Sequence, residues 1–400
     1  MHERDKSSYH SCNSGAMLKV LTFAVCVLGY LTARADTDWM ILPHASGSHR
    51  MLLHGLRDNS KPVSTDVWMD QKGKYRSLRI GNAKTGFTFA GVNHYGVAVL
   101  ATGGDPQRDK APKAHKRNYT SSNAVNLILR NCKNAELGVD LLRDGFKKSL
   151  IAGSLIFFVV DAKRAFVVEC SPKHFASFEL TGSFCVYANM WKLPNMQDAS
   201  LRLFNSSGWQ AQREWVVAEA IRNARKTAST VSVAESLAAS RLGPAEANNP
   251  KFNKARDRNK KLVKVSNVPA MKTSADGVLF EIDPEFPGVL SCVYVAFGPQ
   301  RHTAYLPIPI GAADKLPAEL TPNPWKTAAL TRNKSAKPET PVNPQLIAFE
   351  NRMLTEFNKK REEARRLLRD RNTAEAKKTL GENLQRQAVE LDNFLKSLGN

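Results

Sequence analysis

The sequence predicts a layered α+β body, because strand-like runs, two helices, four strands, more helices and further strands succeed one another along the chain. Two patterns carry this. Short apolar runs bounded by Gly, Asn and Ser turns fill 39–101 and 155–188, whereas 124–146 and 209–240 space their apolar residues helically. The composition agrees: 42% apolar and 8% aromatic residues describe a chain able to bury a core, not a disordered one.

The elements follow in order. A polar stretch, 1–16, precedes Met17-Leu18-Lys19, a short apolar run at 20–31, and Ala33-Arg34-Ala35. A cation, a greasy segment and a small-x-small site read as a secretory signal peptide, with Met17 an alternative start. The apolar run is too short to span a bilayer comfortably. Cleavage after Ala35 makes Asp36 the first mature residue and the protein secreted or periplasmic. Strands are expected at 39–41, 51–54, 75–80, 86–92 and 96–101, with Asn93-His94-Tyr95 joining the last two. Helices are expected at 124–132 and 135–146, then strands at 155–161, 165–170, 175–180 and 184–188. Helical spacing returns at 209–225 and 231–240, and strands at 277–282 and 289–297.

The remainder divides by composition. The run 251–264 carries seven basic residues against one acid and reads as an exposed loop. Segment 321–344, rich in Pro, Thr, Asn and Lys, reads as a linker closing a body of 36–320. The tail 345–400 carries two apolar stripes, Leu346-Phe349-Met353-Phe357 and Leu380-Leu384-Ala388-Leu391-Leu395, separated by Asn372-Thr373. That is a helical hairpin with charged outer faces. Two helices cannot bury both stripes alone, so the hairpin must pack on the body or on a second subunit, giving a route to an oligomer.

Charge and cysteine set limits on partners. A net charge of +21 favours anionic surroundings such as a cell envelope, or is a solubility feature spread over the surface. No aromatic residues interleave with the basic ones as a single-strand groove requires, so no specific nucleic acid is indicated. Cys132, Cys170, Cys185 and Cys292 are far apart without CxxC spacing, which calls for no zinc, no other metal and no cofactor. One or two disulfides or buried thiols both fit. His44 and His94 read as turn or surface residues, and Cys170 and Cys185 as core.

Three blocks of motifs carry the chemistry. The first is Ala35-Asp36-Thr37, then Leu53-His54-Gly55-Leu56-Arg57-Asp58, then Gly91-Val92-Asn93-His94-Tyr95-Gly96-Val97. The second is Asp161-Ala162-Lys163, Val168-Glu169, Ser171-Pro172-Lys173 and Ala188-Asn189. The third is Thr273-Ser274-Ala275-Asp276-Gly277 with Tyr305-Leu306-Pro307-Ile308-Pro309 and Leu316-Pro317. In order and spacing these resemble the linear-amide C–N hydrolases of the N-terminal-nucleophile (Ntn) superfamily: choloylglycine hydrolases, penicillin acylases and the acyltransferases of peptidase family C45.

The resemblance implies a four-layer αββα sandwich, a small acyl-amide or peptide-like substrate, and a cysteine at the mature N-terminus. An α-amine with pKa near ~8 serves there as base for the side chain of its own residue. By the same resemblance Arg57 and Asp58 stand beside the nucleophile, Asn189 is an oxyanion donor, and Arg202 is a weaker match to an arginine bracing the site. An ordinary ion pair at 57–58 and a turn cap at Asn189 are the simpler readings. The chain departs from the pattern twice. Asp36 holds the nucleophile position, and a carboxylate gives the amine no proton to take. Counting on from Asn93 puts Ala101 at the other oxyanion donor, with Thr102 adjacent; losing such a donor costs ~10²–10³ in rate.

Three functions are therefore in play. The first is an exported amide-hydrolase-like protein with lost or altered catalysis. The second is an active amidase using Thr37 after removal of Asp36, against which strand alternation argues, since Thr37 then faces away from the site. The third is a basic envelope-associated interaction protein docking through the hairpin.

Overall fold

The structure, a computed structural model, describes residues 36–58, 65–104, 119–197, 200, 209–243, 269, 274–320, 325, 329 and 341–398. The leader, Arg202, the basic run 251–264 and most of segment 321–344 lie outside the described residues. Strands β1 (Thr37–Ile41), β2 (Met51–Asp58), β3 (Asp66–Asp70), β4 (Ser77–Asn82), β5 (Phe87–Asn93) and β6 (Ala98–Gly103) come first. Helices α1 (Ser121–Asn131) and α2 (Ala135–Lys147) follow, started by Thr120 and Asn134, whose side chains accept the N–H of Asn123 and Leu137. Then come β7 (Leu155–Val160), β8 (Ala165–Cys170), β9 (Phe175–Glu179) and β10 (Phe184–Tyr187). After α3 (Trp209–Ala228) and α4 (Val233–Ala239) the chain forms β11 (Ser274–Ile282), β12 (Cys292–Ala296) and β13 (Tyr305–Pro309). It closes with α5 (Pro344–Arg369) and α6 (Thr373–Ser397).

All strand pairs are antiparallel and form two sheets, one ordered β10-β1-β2-β11-β12-β13 and the other running from β3 to β9 in sequence order. Period-two alternation sorts the side chains of β6 between two cores. Ala98 and Leu100 enter the large core between the sheets, whereas Val99 and Ala101 join the smaller cluster under α1 and α2. The six-stranded sheet buries its outer face under α3, α4 and the hairpin, which completes the αββα sandwich. The expected α+β class and layering are therefore present.

Two strand assignments change. Strand β3 is unpredicted, because Asp66 and Asp70 flank a short Val-Trp-Met run and hide its alternation. The expected strand 289–297 begins instead as a helical turn, Pro287–Leu290, before β12. Among the described residues Cys132, Cys170, Cys185 and Cys292 are free thiols, three of them buried and Cys185 half-buried.

The hairpin packs on the body of its own chain. Leu346, Phe349, Met353, Phe357 and the whole second stripe enter the core between hairpin and sheet, so both stripes are covered without a second subunit. The expectation of charge confined to its outer faces is corrected, for Glu350, Arg361 and Arg365 are buried. Arg361 pairs with Glu281, Arg365 with Asp283 and Glu285, and Arg369 with Glu285. The match is metric: four helical residues advance about 6 Å, and two residues of extended chain about 6.6 Å. Successive turns of α5 thus meet Glu281 near the end of β11 and Asp283 just beyond it, while Glu285 follows on a bend that turns back onto the Asp283 carboxylate. Nearby, Arg241 pairs with Glu350 at 2.5 Å while the Glu350 carboxylate also accepts the Tyr305 N–H at 2.7 Å.

Candidate active site

The antiparallel registers bring the start of β1, the ends of β2, β6 and β10, and the start of β11 to one end of the sandwich. Thr37 lies opposite Leu56, Asp38 opposite Tyr187, and Asp276 opposite Arg57. Asp36 sits at this end, immediately before β1, and is 8% exposed. Its carboxylate accepts the Asp58 N–H at 3.0 Å through Oδ1 and the Thr102 hydroxyl at 2.6 Å through Oδ2. The Thr102 oxygen in turn accepts from the Asn189 side-chain amide at 2.9 Å, and that amide also donates to the Gly103 carbonyl at 2.7 Å. Asp36, Thr102 and Asn189 thus form one polar chain bridging the two sheets.

The neighbours supply compensating charge. Arg213 of α3 pairs with Asp58 at 3.0 Å, both fully enclosed. Arg57 lays its guanidinium over Phe89 at 4.6 Å and over Phe87 at 5.2 Å, a cation–π seat between the sheets. Asp38, two residues along the same face as Asp36, is buried, and its Oδ2 has no hydrogen-bond partner among the described residues. Burial, then the Asp36 charge, hold its carboxyl well above the usual carboxylate range, with Arg213 opposing and Asp58 adding to the rise.

The sequence-predicted residues are brought together unevenly. Asp36, Arg57, Asp58 and Asn189 meet at this end, and Arg202 lies outside the described residues. Ala101 faces the cluster under α1 and α2, and Thr102, one residue on, presents its hydroxyl to Asp36. A single step along the strand reverses the face. Thr37 is fully buried on the opposite side of β1, the side on which Trp39 donates to Ser236 of α4, and its hydroxyl has no hydrogen-bond partner among the described residues. Asn93 is a turn builder: it donates to Leu129 and Cys132 carbonyls and accepts from Tyr95 and Val97. Among the described residues no cluster of acids, His and Cys has the geometry to hold a metal.

Asp38 and Arg213 of this end were missed, while Thr102 was noted only as the neighbour of Ala101 and Glu169 only within the motif Val168-Glu169. Asp38 had a signal in the i, i+2 spacing from Asp36. Glu169 had one as an acid inside the apolar run Ala165–Cys170. Arg213 had none, since its partner is far away in sequence.

Close sheet packing at this end depends on Gly55. A Cβ there would stand 2.0 Å from a Leu100 methyl and 3.1 Å from Asp38 Oδ1. Gly55→Ala should therefore lower stability by about 1–3 kcal/mol through overpacking. The urea midpoint of the variant measures this, and an unchanged midpoint would refute it.

No protein-family model and no curated protein matches the chain. Among solved structures, a variant of the conjugated bile acid hydrolase from Clostridium perfringens aligns with a TM-score of 0.43 and 10% identity, over 68% of this chain and 92% of that one. The N-acylethanolamine-hydrolyzing acid amidase ortholog from Caenorhabditis elegans aligns at 0.37 and 10%, over 62% and 94%. Penicillin V acylase from Agrobacterium tumefaciens aligns at 0.32 and 12%, over 65% and 86%. The chain resembles the Ntn amide hydrolases in fold.

Proposed function

We propose that this chain is an exported Ntn-type amide-hydrolase scaffold in which the cysteine chemistry has been lost or altered, and which still receives an acyl-amide or peptide-like small molecule. The observation that carries this is the occupation of the donors at the site. The Asp36 carboxylate accepts the Thr102 hydroxyl and the Asp58 N–H, and Asn189 is tied to Thr102 and Gly103. An anion fixed to the protein thus sits on groups that an oxyanion would need in an acyl transfer. An ionised carboxylate is also a poor nucleophile toward an unactivated amide and leaves readily from an acyl adduct. The Thr37 reading draws no support, because that hydroxyl lies on the helix-covered face of β1.

The test begins with the mature N-terminus. Mass spectrometry of the exported protein is expected to give Asp36 as first residue. That protein is expected to show no turnover across a panel of N-acyl amides and dipeptides, while at least one N-acyl amide raises its melting temperature. Thr37 as first residue together with hydrolysis would overturn the reading. So would steady turnover by a chain that begins at Asp36.

A further inference from the structure

The loop that carries Asn189 is clamped from two sides by acids, one buried and one half-buried. Residues 188–193 leave β10, and Asn189 takes a left-handed backbone, φ 57°, which few residues other than Gly and Asn adopt readily. On one side Glu214 of α3 accepts the Ala188 N–H at 2.8 Å and pairs with the Lys192 ammonium at 2.8 Å. On the other, Glu169 of β8, fully enclosed, accepts the Lys192 N–H at 2.8 and 3.0 Å through its two oxygens. It also accepts the Leu193 N–H at 3.1 Å. Across the seven-stranded sheet Thr102 pairs with Ile156 and Ile156 with Glu169, so clamp and site share one row of the ladder.

We propose that Glu169 is the positioning residue of this site: its carboxylate holds the Lys192–Leu193 turn, and through it the Asn189 amide on Thr102, and its protonation releases them. The proposal rests on the reading of the site given above and names a regulation of it. The chemistry follows from the donor count. As a carboxylate, Glu169 offers lone pairs to both N–H groups. Once protonated, one oxygen carries a hydrogen that must be accommodated among N–H donors, and the two-oxygen grip on Lys192 is lost. The turn then has to shift, while the Glu214 side stays in place.

The surroundings place this change in an accessible range. Burial is the largest influence and raises the Glu169 carboxyl to about 7, against the pull of the Lys192 and Leu193 N–H groups, the Tyr187 hydroxyl and the Lys192 charge. The titratable groups facing it are Tyr187 from β10, Lys192 from the loop, Cys170 beside it in β8, and Glu214 acting from α3 on Lys192 and Tyr187. Its register partners on β7 and β9, Ile156 and Ala176, are apolar.

Heteronuclear NMR of the full chain between pH 5 and 9 tests this without any ligand, so it stands or falls separately from the amide reading. The backbone amides of Lys192 and Leu193 and the side-chain amide of Asn189 are expected to move together, with a common midpoint near 7. In Glu169→Gln the three signals should be insensitive to pH and lie at the low-pH positions of the native chain. An Asn189 amide that stays fixed while Lys192 and Leu193 titrate would overturn the coupling. A Glu169 carboxyl ¹³C signal that titrates in the ordinary carboxylate range would overturn the switch. Should Glu169→Gln fail to fold, the native titration alone decides both points.

Discussion

Cysteine in place of Asp36 should give a chain that hydrolyses N-acyl amides at least ~10²-fold faster than the native one, provided the mature chain begins at residue 36. Substitution removes the carboxylate that now accepts from Thr102 and the Asp58 N–H. It also places a thiol beside its own α-amine, and the two ordinary pKa values, ~8.5 and ~8, lie close enough for proton transfer between them. Thr102, released from Asp36 while its oxygen still accepts from Asn189, becomes a donor for the oxyanion, and such a donor is worth ~10²–10³ in rate where it has been removed. Two controls separate the contributions. Asp36→Ala should remain inactive, and Thr102→Val added to Asp36→Cys should cost about the value of one donor. Product release is followed by mass spectrometry on the same panel of amides. An inactive Asp36→Cys chain with a confirmed Cys at its N-terminus would show that the end of the sandwich no longer forms a reaction site.

The second large effect concerns the hairpin. Glu281→Ala should destabilise the protein by about 3–5 kcal/mol, the cost of leaving a buried partner charge unpaired. Glu281 is fully enclosed and accepts from Arg361, from Arg50 at 3.3 Å and from the Tyr294 hydroxyl at 2.7 Å. Replacing both sides with apolar residues of similar size, Glu281→Leu with Arg361→Met, should restore most of the loss, because no charge is then stranded. Urea denaturation of the single and double variants measures the difference. A double variant as weak as the single one would refute the account.

Acid should act on the same contact. Burial opposes ionisation of Glu281, yet the Arg361 and Arg50 charges hold its carboxyl down from 4.5 to about 2, and Asp283 is lowered through Arg365. With the folded-state value depressed, the unfolded chain takes up the proton first as pH falls. The contribution is therefore complete above about 4.5 and is lost as pH drops toward about 2. Stability measured across that window should fall less steeply for the apolar double variant than for the native chain.

How much of this was legible in the sequence differs by kind of interaction. Local patterns were readable: the stripes of α5 and α6, the capped helices α1 and α2, and the strands from β7 to β10 follow from spacing of three, four or two. Asp36, Arg57, Asp58 and Asn189 were readable because they sit in recognisable local motifs. What failed was anything set by a one-residue register or by a distant partner. Ala101 and Thr102 differ only in which side of β6 they face, and nothing local fixes that. The Arg213–Asp58 pair spans α3 and β2, and the arginines of α5 meet acids about eighty residues earlier, as Arg361 meets Glu281. A charged residue on a helix reads as solvent-facing until the sheet supplies its partner, which is why Arg361 and Arg365 were expected outside.

The placement of the hairpin also fixes an order of assembly. The outer face of the six-stranded sheet carries Trp39, His54, Glu281, Tyr294 and Tyr305, and its cover comes in part from residues 344–397, which a ribosome makes after every strand is complete. Until those residues dock, an apolar surface whose acids lack their hairpin arginines stays open to aggregation or to a chaperone. A chain cut before Pro344 should therefore be caught as a holdase client and not as a smaller folded protein.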